Sequence, residues 1–144
     1  MYILKFKKWS QNMRPVLFDV LRIYLGMGLF VKGVLFISQP NMIPNMLSGD
    51  QIGVIATVLG HAIPMAHISG GILLIIGLLT RLAALVQIPI LCGAVMFVHL
   101  EGGAFMLNQG FEFAALVLFL LILIFIYGSG PWSLDQYLET HKST

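Results

Sequence analysis

Long apolar stretches separated by short polar ones dominate this chain: "VLFDVLRIYLGMGLFVKGVLFI", "HAIPMAHISGGILLIIGLL", "LAALVQIPILCGAVMFVHL" and "GFEFAALVLFLLILIFIY". They occupy about 15–37, 61–79, 82–100 and 110–127. A helix rises about 1.5 Å per residue, so roughly 20 apolar residues cross the hydrocarbon core and each stretch predicts a transmembrane helix. Thr80 and Arg81 make a tight connection, so the second and third helices are antiparallel neighbours. "GSGPWS" stops the fourth, because glycine ends helices and proline cannot continue them. In the link 38–60, Ser48 with Gln51 three residues on has the capping-box pattern. The following "DQIGVIATVLG" predicts a short interfacial helix, 48–60, or one running on into the second span through a kink at Pro64. The expected fold is an all-α membrane protein: a single domain, 1–144, built as a four-transmembrane-helix bundle.

Composition agrees. With 58% hydrophobic and 10% charged residues, the chain departs from soluble domains, which average about 45–50% and 25%. The net charge of +2 is small, and no basic run with interleaved aromatics suggests nucleic acid. Cys92 is the single cysteine, which excludes a dithiol exchange within the chain, and its place mid-way along an apolar run suggests a small buried packing residue.

Charge gives the direction. Lys5, Lys7, Lys8, Arg14, Arg81 and Lys142 fall on one side of a four-span arrangement, while the opposite loops carry only Asp50 and Glu101. The positive-inside rule then makes both termini cytoplasmic. Trp9 and Trp132 would sit at the inner interface. The N-terminal "MYILKFKKWSQNMRP" is basic like a signal-peptide n-region, but the apolar run behind it is too long and no A-x-A site follows. It is expected to stay attached as the first span, with Tyr2, Phe6 and Trp9 on a short segment lying on the membrane surface.

Several ionisable residues stand inside the spans, where a charge at the bilayer centre costs about 2.5–3.5 kcal/mol. Asp19 and Arg22, three apart near the inner end, can form an ion pair within snorkelling reach of water. Arg81 reads as a topology anchor. In the outer half, Lys32 lies about 8 Å below the helix end at Ile37. His67, His99 and Glu112 enter from the other three helices at a similar level. Glu112 is therefore expected to face Lys32, His67 and His99. Structurally, a Lys32–Glu112 pair and two histidines could lock the bundle. Functionally, imidazoles beside a carboxylate can carry protons or bind a polar ligand head. No metal spacing is present, and His67 with His99 as axial haem ligands is the less favoured option.

Helical spacing puts His67, Gly70, Gly71, Leu74 and Arg81 on one face, Cys92, Met96 and His99 on another, and Gly26, Leu29 and Gly33 on a small-residue stripe. The glycines read as packing seams.

"RIYLGMGLFVKG" (22–33), "GGILLIIGLLTRLAAL" (70–85), His99, "EFAALVL" (112–118) and "GSGPWSLD" (128–135) resemble the DoxX family in order and spacing. The resemblance implies a four-helix membrane bundle similar to the small membrane subunit of thiosulfate:quinone oxidoreductase. It also implies ties to complexes handling oxidative and sulfur stress, or, as in eukaryotic relatives, chaperone or cargo-receptor roles. Arg22, Gly26, Gly33, Arg81, His99, Glu112 and Asp135 match the family pattern. His67 stands where members often carry Glu, and Phe36 where many carry Lys, with Lys32 directly before Gly33.

With that resemblance, the leading expectation is a multi-pass subunit of a quinone-linked oxidoreductase complex in the bacterial cytoplasmic (inner) membrane. It would offer a pocket for quinone, with His67, His99 and Glu112 handling protons and Lys32 as counter-charge. The electron donor would be a partner chain, so the chain is not expected to be an enzyme alone. The alternative is a non-catalytic scaffold, chaperone or assembly factor. A carrier ranks last, since only Pro64 and Pro89 offer breaks and no repeat is evident. Expected partners are membrane lipid, other membrane or membrane-associated subunits, and a second copy in a homo-oligomer.

Overall fold

A computed structural model describes the backbone of residues 2–41, 53–101 and 109–142, and the side chains of 15–41, 53–96 and 112–142. All regular elements among the described residues are helical: α1 (Tyr2–Ser38), α2 (Gly53–Ile76), α3 (Thr80–Glu101), α4 (Gln109–Tyr127) and α5 (Leu134–Lys142). Helix α1 packs chiefly on α2 and α3 chiefly on α4, with α2 against α3 joining the two pairs. Two segments, Pro15–Ser38 and Gly53–Ile76, are long and apolar enough to cross a membrane. Shorter apolar helical stretches, Thr80–Met96 and Glu112–Tyr127, stand beside them.

The apolar residues divide as they do in a lipid-solvated bundle. A compact core of Leu25, Leu29, Leu74, Ala83, Ala84, Leu91, Val117, Leu121 and Ile124 is buried. Large side chains such as Val31, Ile72, Leu85, Leu116 and Phe119 point outward. In water that surface would be an aggregation liability; in lipid it is ordinary.

The α1–α2 seam rests on glycine. A Cβ at Gly26 would stand 2.7 Å from the Gly71 carbonyl oxygen, and one at Gly71 the same distance from the Gly26 oxygen. Further along, a Cβ at Gly33 would come within 2.9 Å of the Pro64 oxygen. The two backbones touch, which only residues lacking a side chain permit.

Several expectations change. Helix α1 is one continuous 37-residue helix through Pro15, with no separate surface segment before it. No glycine or other stop precedes the apolar run, and the single proline does not end the helix. Of the two options for the link helix, the structure takes the second: residues 53–60 are the first part of α2, which continues through Pro64 to Ile76. Ser48 and Gln51 lie outside the described residues. Helix α3 likewise runs through Pro89. Cys92 is exposed rather than buried, and Met96 is 60% exposed, so that face of α3 points away from the bundle. Ala83, Ala84, Gln87 and Leu91 form the inward face instead. The nine-residue α5 was not anticipated, its apolar positions being too few to register beside the spans.

Candidate functional site

Of the four residues expected in the outer cluster, the structure brings two together. His67 is buried in the middle of the α2 face that meets α1. Its ring meets Phe36 edge-on, with centroids 5.8 Å apart and planes at 62°. Lys32 reaches over the same Phe36, its Nζ 5.9 Å from the ring centroid, a cation–π distance. Nδ1 of His67 is buried beside the Ile63 carbonyl one turn back, without a hydrogen bond of ordinary geometry.

Glu112 is exposed in the first turn of α4 and forms no ion pair with Lys32. Its place there is a favourable one for a carboxylate, close to the positive end of the helix dipole. The side chain of His99 lies outside the described residues, as does that of Trp9.

A residue not anticipated packs against α2 at Ala66 and Gly70. Gln87 of α3 is fully buried, and its Nε2 donates to the Ala66 carbonyl oxygen at 2.5 Å. Gly70 leaves the space for the amide, since a Cβ there would collide with Nε2. Its Oε1 has no partner among the described residues. The signal was available: Ala83, Ala84, Gln87 and Leu91 share one helical face, on which a glutamine is conspicuous.

The opposite end of the bundle holds a denser polar assembly. Asp19 and Arg22 do pair, Oδ1 to Nη2 at 3.2 Å, but both are buried, at 0% and 1% exposure, rather than reaching for water. The segment between α4 and α5 covers them. The Trp132 backbone N–H donates to Asp19 Oδ2 at 3.0 Å, and Arg22 Nη2 approaches the Trp132 carbonyl oxygen at 3.5 Å. Nε and Nη1 of Arg22 have no hydrogen-bond partner among the described residues.

The same segment holds the α2–α3 turn. Both carboxylate oxygens of Asp135 accept backbone hydrogen bonds, from Leu79 at 2.8 Å and Thr80 at 2.9 Å. In return the Asp135 N–H donates to the Gly77 carbonyl oxygen at 3.0 Å. Asp135 thus acts as an N-cap for α3 from a distant part of the chain. Ser133 starts α5 in the usual way, its Oγ accepting from the Gln136 N–H at 3.2 Å. Gly77 and Gly128 end α2 and α4 with φ of 75° and 80°, a conformation that favours glycine. Arg81 is exposed, begins α3 beyond this turn, and so does not continue the α2 face that holds His67 and Leu74.

Comparison with known proteins fits this helical assembly. Neither the curated proteins nor the solved structures give a match. The DoxX family model matches residues 17–100, from two residues after Pro15 to the last turn of α3, more than half of the chain's 144 residues. The stretch takes in the glycine seam, the buried Asp19–Arg22 pair, His67 and Gln87, and the chain therefore belongs to the DoxX family and, with two helices of spanning length, is a membrane protein.

Proposed function

We propose that the chain is a membrane subunit of a quinone-linked oxidoreductase complex, with four spans, both termini cytoplasmic, in a bacterial inner membrane. The orientation rests on the basic residues along the sequence, of which Arg81 stands exposed at the same end of the bundle as the Trp132–Asp135 segment. The observation carrying the functional part is His67: an imidazole buried within an apolar helix, its Nδ1 without a regular hydrogen bond, flanked by Phe36 and the ammonium of Lys32. An intramembrane ionisable group of this kind marks a functional site by default.

A quinone ring fits such surroundings in kind, since it takes apolar walls and a few hydrogen-bonding groups. Bound there, quinone would supply the two-electron acceptor chemistry. His67 would hold its carbonyl oxygen or pass a proton at Nδ1, Phe36 would exclude water, and Lys32 would supply positive charge. His99 and Glu112 belong to the same proposal as outer proton-handling groups. The electrons would come from a partner chain, so the subunit alone would not turn over.

The test is lipid-extract mass spectrometry of the complex purified from its native membrane, comparing wild type with His67→Phe and Lys32→Met. Quinone retained by the wild type and lost from both variants supports the proposal. Stoichiometric partner chains without quinone would instead favour a non-catalytic scaffold or assembly factor.

A further inference from the structure

We propose that the cleft beside the Asp19–Arg22 end of the bundle binds the headgroup of an anionic phospholipid, with Arg81 as its phosphate ligand. The cleft has a volume of about 320 Å³ and lies between the start of the apolar part of α1 and the segment joining α4 to α5. One wall is aromatic: Phe18 and Tyr127 stand 5.0 Å apart, ring planes at 35°. The other is polar, formed by Gly128, Ser129 and Gly130 with the amide of Gln136.

Among the described residues, charge in this region is nearly all used. Asp19, directly beneath Gly130, is neutralised by Arg22 and by the Trp132 N–H. Asp135 is occupied by Leu79 and Thr80. Arg81 has no ion pair or hydrogen bond among the described residues. It is nevertheless placed: a Cβ at Gly128 would stand 3.0 Å from its Nε and 3.2 Å from its Nη2. The guanidinium therefore lies against Gly128, which lines the cleft and whose φ keeps glycine there, while Arg81 itself stands outside the lining residues. A guanidinium fork suits phosphate oxygens, and the Ser129 hydroxyl and Gln136 amide offer further donors.

The surroundings select a lipid over a soluble phosphate ester. Tyr127 lines the cleft and is exposed, and Leu17, Val20 and Ile126 are exposed on the two helices that border it. An acyl chain continuing from a headgroup in the cleft would lie along them. None of the residues lining the cleft is basic, so the guanidinium of Arg81 beside Gly128 supplies the positive charge by which such a recess would hold an anionic headgroup.

The experiment uses the full chain in detergent, exchanged into micelles containing phosphatidylglycerol or phosphatidylcholine, with retained lipid counted by native mass spectrometry. Wild type should keep one phosphatidylglycerol and release phosphatidylcholine. Arg81→Gln should lower retention roughly fivefold, the effect of one cation near an anionic surface, and Arg81→Lys should keep most of it. Ser129→Trp, which fills the cleft and leaves Arg81 in place, should also lose the lipid, and covers the case in which Arg81→Gln fails to fold. Equal retention of both lipids, or full retention by either Arg81→Gln or Ser129→Trp, overturns the proposal. So does displacement of phosphatidylglycerol by glycerol phosphate at equal concentration, which would make the ligand a soluble phosphate ester.

Discussion

The carboxylate of Asp135 caps the backbone N–H of Thr80 at 2.9 Å across 55 positions of sequence. A helix cap ordinarily comes from the residue just before the helix. Here it is carried in by α5, so the start of α3 and the start of α5 hold each other, and the turn at Leu79, with φ of 48°, is kept in a conformation uncommon for leucine.

Asp135→Ala should therefore destabilise the protein by about 1 kcal/mol, within the usual range for losing a cap. Asp135→Asn should retain part of it, because its single amide oxygen can serve one of the two N–H groups. Thermal unfolding in detergent should rank wild type above Asn and Asn above Ala. If Ala matches the wild type, the cap contributes nothing.

The Asp19–Arg22 pair makes a sharper prediction. Removing one partner leaves a buried charge alone and is expected to destabilise by about 3–5 kcal/mol, whereas replacing both is far milder. Asp19→Asn and Arg22→Met should each express poorly as folded protein, and the double variant should recover much of the loss. Independent, additive losses in a double-mutant cycle would show that the two side chains do not depend on each other.

Along the α1–α2 seam, position decides the outcome. Gly71→Ala sets a methyl against the Gly26 carbonyl and the Phe30 backbone, and should destabilise by about 1–3 kcal/mol through overpacking. Gly28 has nothing within 4 Å of a built Cβ, and Gly28→Ala should be neutral or slightly stabilising. Equal effects at the two positions in a thermal-stability assay would contradict the seam.

Gln87 separates fold from function. Gln87→Leu keeps volume and removes the bond to Ala66, for which membrane proteins lose only about 0.6 kcal/mol on average. Gln87→Ala leaves a cavity and should lower stability further. A leucine variant that is folded yet loses quinone from the purified complex would add Gln87 to the His67 site. One that keeps its quinone would assign Gln87 to packing alone.

What the sequence disclosed followed the strength of each physical signal. Long apolar runs announced the helices, and the spacing of Gly26, Leu29 and Gly33 announced the seam, since period and residue size are local properties. Asp19 and Arg22 were legible as a pair, because three residues on one helix fix their neighbourhood. Their burial was not: it depends on Trp132, 113 positions away from Asp19, and no local pattern encodes that approach. Cys92 was misjudged for a related reason. In lipid an apolar stretch has no polar face to mark its outside, so Cys92 and Leu91 look alike until packing distinguishes them. Glu112 and Lys32 were expected to meet because they share a level in the bundle. Level fixes depth but not azimuth: Glu112 is exposed in the first turn of α4, while Lys32 lies over Phe36.

The C-terminal segment also imposes an order on biogenesis. Until residues 130–135 leave the ribosome, the first helix carries an aspartate and an arginine with no cover, and the third helix has no remote cap. A nascent chain halted just past the fourth helix would thus hold its hydrophobic complement in full and still lack its polar closure. Such a truncated product would present an uncovered ion pair, a feature by which cellular proteolysis could tell unfinished copies from finished ones.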